Sequence, residues 1–141
     1  MIHQHSPAAK YGNKKTVIDG ITFDSQLEAL RYIELTRLKQ AGIVKEIEVQ
    51  PEFELQPAYW KCCGEVSTNV ASKHICWMCN KKKPITRAIT YRADFRVTYA
   101  DGHQEIEDVK GMETAVFKLK KKLFEYRYPD LTLKIVTKVR R

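Results

Sequence analysis

Asp108 and Lys110 stand on either side of Val109 near the end of the run "GHQEIEDVKG", residues 102–111. In a strand, residues two apart share a face, so the acid and the lysine point the same way, as does Ile106. Asp94, in "YRADFRV", lies in the preceding strand, and the Asp101-Gly102 pair is a hairpin turn that folds one strand onto the other. Counting back from that turn sets Asp94 opposite residue 108 or 109. Two or three converging carboxylates make an all-oxygen cage suited to Mg²⁺ or Mn²⁺. A lysine beside them can orient an attacking water or hold charge developing on a phosphate. The plainer reading of Asp108 and Lys110 is an exposed ion pair. For Asp94, between Ala93 and Phe95 in an apolar strand, it is a structural acid whose burial has to be compensated.

A second group of chemistry-bearing residues lies in "WKCCGEVSTNVASKHICWMCN". Cys76-Trp77-Met78-Cys79 has the two-residue gap that lets both thiolates reach one tetrahedral metal. Cys62 and Cys63 are adjacent where a second such gap is the usual form. Two zinc ligand sets are therefore open: all four of Cys62, Cys63, Cys76 and Cys79, or Cys63, His74, Cys76 and Cys79. Clustered cysteines in a cytosolic chain point to metal sooner than to disulfides. A small insert of low apolar content needs such a staple to fold, and closed four-ligand zinc is structural, not catalytic.

The 141 residues suit one domain, and 43% hydrophobic with 30% charged is a soluble globular composition. No run approaches the ~20 apolar residues of a membrane span, and "MIHQHSPAAKYGN" has neither a signal core nor a transit pattern. The expectation is a cytoplasmic protein with residues 1–13 as a flexible arm, in which His3 and His5 are tail residues. Net charge is +8, with 25 basic residues against 17 acidic ones. From Ala58 to Arg87 six basic residues face one acid, Glu65, so the cysteine-bearing stretch carries most of that excess. A polyanion is the partner this charge favours.

These side chains need a scaffold. "KTVIDGITF" reads as a hairpin about Asp19-Gly20. "DSQLEALRYIELTRLKQAGIV" reads as a helix capped by Asp24 or Ser25. Glu28 stands at capping-box distance, Leu27, Leu30, Leu35, Leu38 and Ala41 form the apolar face, and Gly42 is the stop. "VKEIEVQPEFELQPAYW" is an extended segment that Pro51 makes an edge or a broken strand. After the cysteine insert come two strands about Asp101-Gly102. A second helix, "METAVFKLKKKLFEYRYPDL", has Val116, Leu119, Leu123 and Tyr126 on one face, and "LTLKIVTKV" is a final strand. The fold class is α/β: a mixed sheet flanked by helices, spanning 14–141 and interrupted by a zinc-binding insert at 58–87.

"RAD" in one strand, "EDVKG" at the end of the next and a glutamate in an upstream helix together resemble the PD-(D/E)XK nuclease superfamily. The resemblance covers most of the chain apart from the insert and is nearest to small phage-associated endonucleases and Holliday junction resolvases. It implies a restriction-endonuclease-like core of helix, three strands, helix and strand. Asp94 corresponds to the first acid, with Ala93 where the pattern's name has proline, and Asp108, Val109 and Lys110 to the (D/E)XK triplet. Glu28 corresponds to the helical acid that many members add, although a capping-box acid is the alternative for it. The insert is also similar to the Ran-binding-protein type of zinc finger, except that the second cysteine of that pattern falls at Glu65.

The resemblance implies a Mg²⁺- or Mn²⁺-dependent DNA endonuclease that acts on branched DNA in phage recombination, with a homodimer as the usual assembly. Glu28, Asp94 and Asp108 would hold the ion, and Lys110 would position the water. Lys14, Lys15, Lys81, Lys82, Lys83, Lys118, Lys121 and Lys122 are candidate phosphate contacts, against the alternative of a solvated face. Gln50 is a polar candidate near the water, or part of a solvated edge, and Glu107 is read as surface charge. The competing expectations are a zinc-containing DNA-binding adaptor that does not cut, and an end- or sequence-specific nuclease acting with partners.

Overall fold

The computed structural model describes residues 14–70 and 75–139. The expected arm at 1–13, with His3 and His5, and the candidate ligand His74 lie outside the described residues. β1 (Thr16–Ile18) and β2 (Ile21–Phe23) form the first hairpin, with positive φ at Asp19 (51°) and Gly20 (76°), the backbone that an Asp-Gly turn permits. α1 (Gln26–Gln40) follows. Ser25 is its N-cap: the hydroxyl accepts from the Glu28 amide (3.2 Å) and donates to Glu28 Oε1 (2.9 Å), while Glu28 Oε2 accepts from the Asp24 amide (3.1 Å), a capping box shifted by one backbone donor.

The central sheet has four strands in the order β10-β9-β8-β3: β10 (Thr132–Val136), β9 (Gln104–Val109), β8 (Phe95–Tyr99) and β3 (Val44–Val49). β3, β8 and β9 pair antiparallel, and β10 joins β9 in parallel after α2 (Ala115–Arg127). The element order is thus helix, three strands, helix and strand, a mixed α/β arrangement in keeping with the expected class. Two strands bend where one was expected. β3 breaks at Gln50-Pro51 and resumes as β4 (Glu52–Gln56), and its partner breaks at Ala93-Asp94, with β7 (Ile89–Arg92) paired to β4. Gln50 takes φ 55°, its amide donates to the Asp94 carbonyl (2.8 Å), and Ala93 N–H donates to the Pro51 carbonyl (3.1 Å). Asp94 therefore sits at a corner of the sheet, where regular pairing stops.

Helices cover both faces. On the α1 side Phe23, Ala29, Leu35, Val44, Phe95, Val97, Val109 and Val136 form one core, and on the α2 side Phe53, Tyr91, Ala93, Ile106, Phe117 and Phe124 form another. Burying an aromatic side chain of this size contributes about 2 kcal/mol or more. That determines the rotation of α2, in which Phe117 and Phe124 face the sheet while Val116, Leu119 and Tyr126 are turned to solvent. Of the expected apolar face of α2, Leu123 does pack against this core, and the rest is displaced by roughly one residue, about 100° of helix. Lys120 lies on the inward side with its stem folded along the surface, and its ammonium donates to the Thr90 carbonyl (2.9 Å).

α1 also departs from expectation. Its buried positions are Glu28, Ala29, Arg31 and Leu35, so two charged residues face inward while Leu27, Leu30 and Leu38 are only half-buried and Ala41 is exposed. No helix among the described residues is long and apolar enough to cross a membrane.

The insert is rooted where Tyr59 and Thr86 exchange two backbone hydrogen bonds (3.0 and 2.7 Å). It contains a second small hairpin, β5 (Trp60–Cys62) with β6 (Glu65–Ser67), and the turn bearing Cys76 and Cys79.

Candidate metal centres and nucleic-acid surface

The β8–β9 register pairs Phe95 with Glu107, and the Asp94 amide donates to the Glu107 carbonyl (3.0 Å), which sets Asp94 beside Asp108 across the hairpin. One Asp94 oxygen accepts from the Val109 amide at 2.6 Å. Asp108 is 3% exposed. Its Oδ2 accepts from the Tyr91 hydroxyl (2.5 Å), and Lys110 Nζ lies 2.8 Å from Oδ1. That ammonium stands outside hydrogen-bonding angles, so Oδ1 has a neighbouring positive charge and no hydrogen-bond partner among the described residues. Lys110 Nζ also lies 4.4 Å from the centre of the Phe117 ring, a cation–π contact that helps fix it. Asp108 and Lys110 are thus on one face, as strand alternation requires, and the pair is largely buried.

Glu28 reaches the same region from α1. Burial raises its pKa, and the Asp24 and Asp108 charges raise it further, against the hydrogen bonds from Ser25 and the Asp24 amide. Asp94 is pushed up to about 7, first by burial and then by the charges of Glu28 and Asp108, which outweigh the Val109 amide and Lys110. The three acids therefore act electrostatically on one another, with Lys110 as the opposing charge on Asp94 among the described residues. A cleft of about 570 Å³ opens beside them, lined by Lys14, Ser25, Glu28, Lys110, Gly111 and Thr114 among others. The first residues of α1 border it, and so does Thr114, the N-cap of α2, whose first turn holds no acid. The exposed amides of a helix N-terminus attract anions.

Three residues around this site escaped the sequence reading. Glu107 does face away from Asp108, but α1 covers that side of the sheet, so it is fully buried and is no surface charge. Arg31 clamps it with two bonds, Nη2 to Oε1 (2.5 Å) and Nε to Oε2 (2.7 Å), and also reaches Glu34 at 2.7 Å. Nothing local to Arg31 signals this pairing, because its partner lies 76 residues away in the sequence. Tyr91 gave no signal either, because a tyrosine in an alternating strand reads as core until the register is known. Gln50 is half-buried at the strand break, with its side chain 3.5 Å from the Thr22 carbonyl.

A family model described as "Protein of unknown function (DUF1064)" matches residues 8–141. The chain belongs to the DUF1064 family. No curated protein and no solved structure matches it. The DUF1064 description carries no activity, so the chemistry rests on the residues themselves.

The four sulfurs make the second centre of this DUF1064 chain. Cys62 lies 3.5 Å from Cys63 and 3.4 Å from Cys79, Cys63 lies 3.9 Å from Cys76, and all four ligand atoms fall within 4.8 Å of one another. Tetrahedral zinc with Zn–S bonds of about 2.3 Å places its sulfurs roughly 3.8 Å apart, so the set fits a structural zinc. The adjacent pair works because Cys63 opens the β5–β6 turn with φ 50°, ahead of Gly64 at 79°. In an extended strand consecutive side chains diverge, whereas the left-handed turn brings the Cys63 sulfur back beside that of Cys62. The hydrogen bond shared with Cys62 pushes Cys63 up to about 12, while the Cys79 amide draws Cys76 down to about 6. Sulfurs this close need a cation before all four can ionise.

The candidate phosphate contacts divide. Lys14 lines the cleft, Lys15 stands 3.9 Å from Asp24, and both are exposed. Lys81 and Lys82 are exposed, whereas the Lys83 ammonium leans on Cys62, whose thiolate raises its pKa. Lys118 and Lys122 are exposed on α2, and Lys121 lies 4.0 Å from Glu125.

Proposed function

We propose that the protein is a divalent-metal-dependent DNA endonuclease whose site is Glu28, Asp94, Asp108 and Lys110, with the thiolate cluster as a structural zinc site. The observation that carries this reading is the mutual repulsion of Glu28, Asp94 and Asp108 beside a cleft, with the Lys110 ammonium 2.8 Å from Asp108 Oδ1 to balance it. Buried carboxylates that share one ammonium stay costly until a further cation joins them. The donors are hard oxygens, which suit Mg²⁺ or Mn²⁺. Bound there, such an ion supplies polarisation of a phosphoryl oxygen and a more acidic water.

The chain's own residues have separate tasks. Tyr91 and the Val109 amide each hold one oxygen of an acid and so fix the orientation of its carboxylate. Lys110, held by Asp108 and the Phe117 ring, presents a positive charge to the phosphate or to the entering water. Lys14 and the N-termini of α1 and α2 offer donors to the backbone on either side. Hydrolysis then forms one P–O bond from water and breaks one ester P–O bond, the leaving oxygen ending protonated.

Branched DNA is the substrate class we favour, following the resemblance to junction resolvases. The test is cleavage of a four-way junction, a fork and a plain duplex in Mg²⁺, Mn²⁺ and chelator, beside Asp108→Asn. Metal-dependent cutting that falls by about a thousandfold in the variant is the expected result. Tight binding with no cutting by the parent protein would replace the nuclease with the non-catalytic adaptor.

A further inference from the structure

The insert contains two tryptophans with opposite fates. Trp60 is buried at 8% exposure and its Nε1 donates to the Asn69 carbonyl (3.4 Å). Trp77 is 80% exposed, beside Met78 at 54% and near Ile75 at 47%. A tryptophan turned outward between two metal ligands contributes nothing to a core. The backbone that carries it is nevertheless ordered. Cys76 N–H donates to the Lys81 carbonyl (3.0 Å), the Asn80 amide donates to the Cys76 carbonyl (2.7 Å), and Asn80 takes the left-handed φ of 53° that closes the turn. The two residues between the ligands are thereby pushed out of a knuckle whose backbone is already ordered.

The surroundings indicate what this aromatic meets. Ile75 bridges to Lys82 across the knuckle, and Lys81 and Lys82 are both exposed beside it. With Glu65 the one acid between residues 58 and 87, the insert is electropositive. An apolar peptide would need the hydrophobic surface and not the charge. A duplex would use the charge alone, because its base faces are already stacked inside. Unpaired bases on a phosphate backbone use both: a flat aromatic on which a base can stack, and ammonium groups within reach of the flanking phosphates.

We propose that Trp77, with Met78, Lys81 and Lys82, is a stacking platform for the unpaired bases of single-stranded DNA. This deepens the reading of the protein as one that acts on DNA, since a branched substrate exposes such bases near its branch point. Because the knuckle backbone is hydrogen-bonded before DNA arrives, little backbone freedom is lost on binding.

The platform is tested with the zinc-loaded full chain, without Mg²⁺, by fluorescence anisotropy on labelled oligo-dT of about 20 nucleotides and on a duplex of equal length. Trp77→Ala is expected to bind oligo-dT about tenfold more weakly with duplex affinity unchanged, and Trp77→Phe to recover most of the loss. Zinc content by mass spectrometry is expected to match the parent in both. Oligo-dT should also quench the intrinsic fluorescence of the parent but not of Trp77→Phe, since Trp60 is buried. Undiminished oligo-dT binding by Trp77→Ala, or equal loss on both DNAs, overturns the proposal. Tighter binding of oligo-U than oligo-dT overturns its assignment to DNA. Cleavage of duplex in Mg²⁺ is measured separately, so an inactive nuclease that still stacks oligo-dT through Trp77 would sink the activity and leave the platform.

Discussion

The carboxylate site and the cysteine insert solve the problem of holding charged ligands in opposite ways. Asp94, Asp108 and Glu28 are positioned by a packed core: the β8–β9 register sets the two aspartates side by side, and the Arg31–Glu107 clamp ties the helix that carries Glu28 to the same sheet. The four cysteines have little core around them beyond Trp60, and the ligands themselves are the interior of the insert. Acids can be kept close by packing because protonation, Lys110 and hydrogen bonds relieve their repulsion. Soft sulfurs on short strands and turns need the metal itself. Removing metal is therefore expected to leave the carboxylate side folded and to dismantle the cysteine insert.

That contrast can be broken most sharply at Cys76, which is 2% exposed. Cys76→Ser is expected to lower zinc from one per chain to none. Because a structural zinc contributes on the order of 10 kcal/mol, amide exchange protection should vanish between residues 59 and 86 and persist in β8 and β9. Loss of protection throughout the sheet would show that the two regions fold as one.

The next effect in size belongs to the core side. Arg31→Met leaves Glu107 buried without a partner and should cost about 3–5 kcal/mol in urea unfolding. Arg31→Met with Glu107→Leu should recover most of that loss, and failure to recover would mean that the pair does more than neutralise itself. Tyr91→Phe removes one charge-assisted hydrogen bond from Asp108 and is expected to cost about 2 kcal/mol of stability. Metal-dependent activity should fall with it, because the carboxylate loses its orientation.

The smallest effect is a pH dependence. The folded pKa of Asp94, near 7, lies above its unfolded value of about 3.9, so the folded state holds the extra proton. Its contribution is fully present at low pH and is lost as pH rises through 7. Without Mg²⁺, the melting temperature of the parent should therefore fall between pH 6 and pH 8 more steeply than that of Asp94→Asn. Added Mg²⁺ should stabilise the parent more at pH 8 than at pH 6, since the ligand must be ionised. Parallel slopes for parent and variant would remove Asp94 as the responsible group.

Features governed by local backbone chemistry were legible in the sequence. The hairpins at Asp19-Gly20 and Asp101-Gly102, the Ser25–Glu28 cap and the order of helices and strands all follow from neighbouring residues. Strand period placed Asp108 and Lys110 together, and the count back from the Asp101-Gly102 turn set Asp94 opposite them. What was lost depends on what lies across the sheet. Glu107 looked like a surface charge because nothing local announces that α1 covers both it and Arg31. The apolar face of α2 was misplaced because Val116, Leu119 and Tyr126 fit the helical period as well as Phe117 and Phe124 do, and only packing volume chooses between them. Adjacent Cys62 and Cys63 looked irregular because side-chain alternation assumes a strand where the chain makes a left-handed turn.

The Tyr59–Thr86 bridge at the root of the insert bears on the order of assembly. β4 and β7 are neighbours in the sheet yet separated in sequence by the whole insert, a loop of roughly thirty residues whose ends must find each other at a cost that grows with the logarithm of its length. A metal-closed knuckle would shorten that loop in the unfolded chain. Zinc would then act as a kinetic aid as well as a staple, bringing the halves of the bent sheet together early and setting the corner at Asp94 in place.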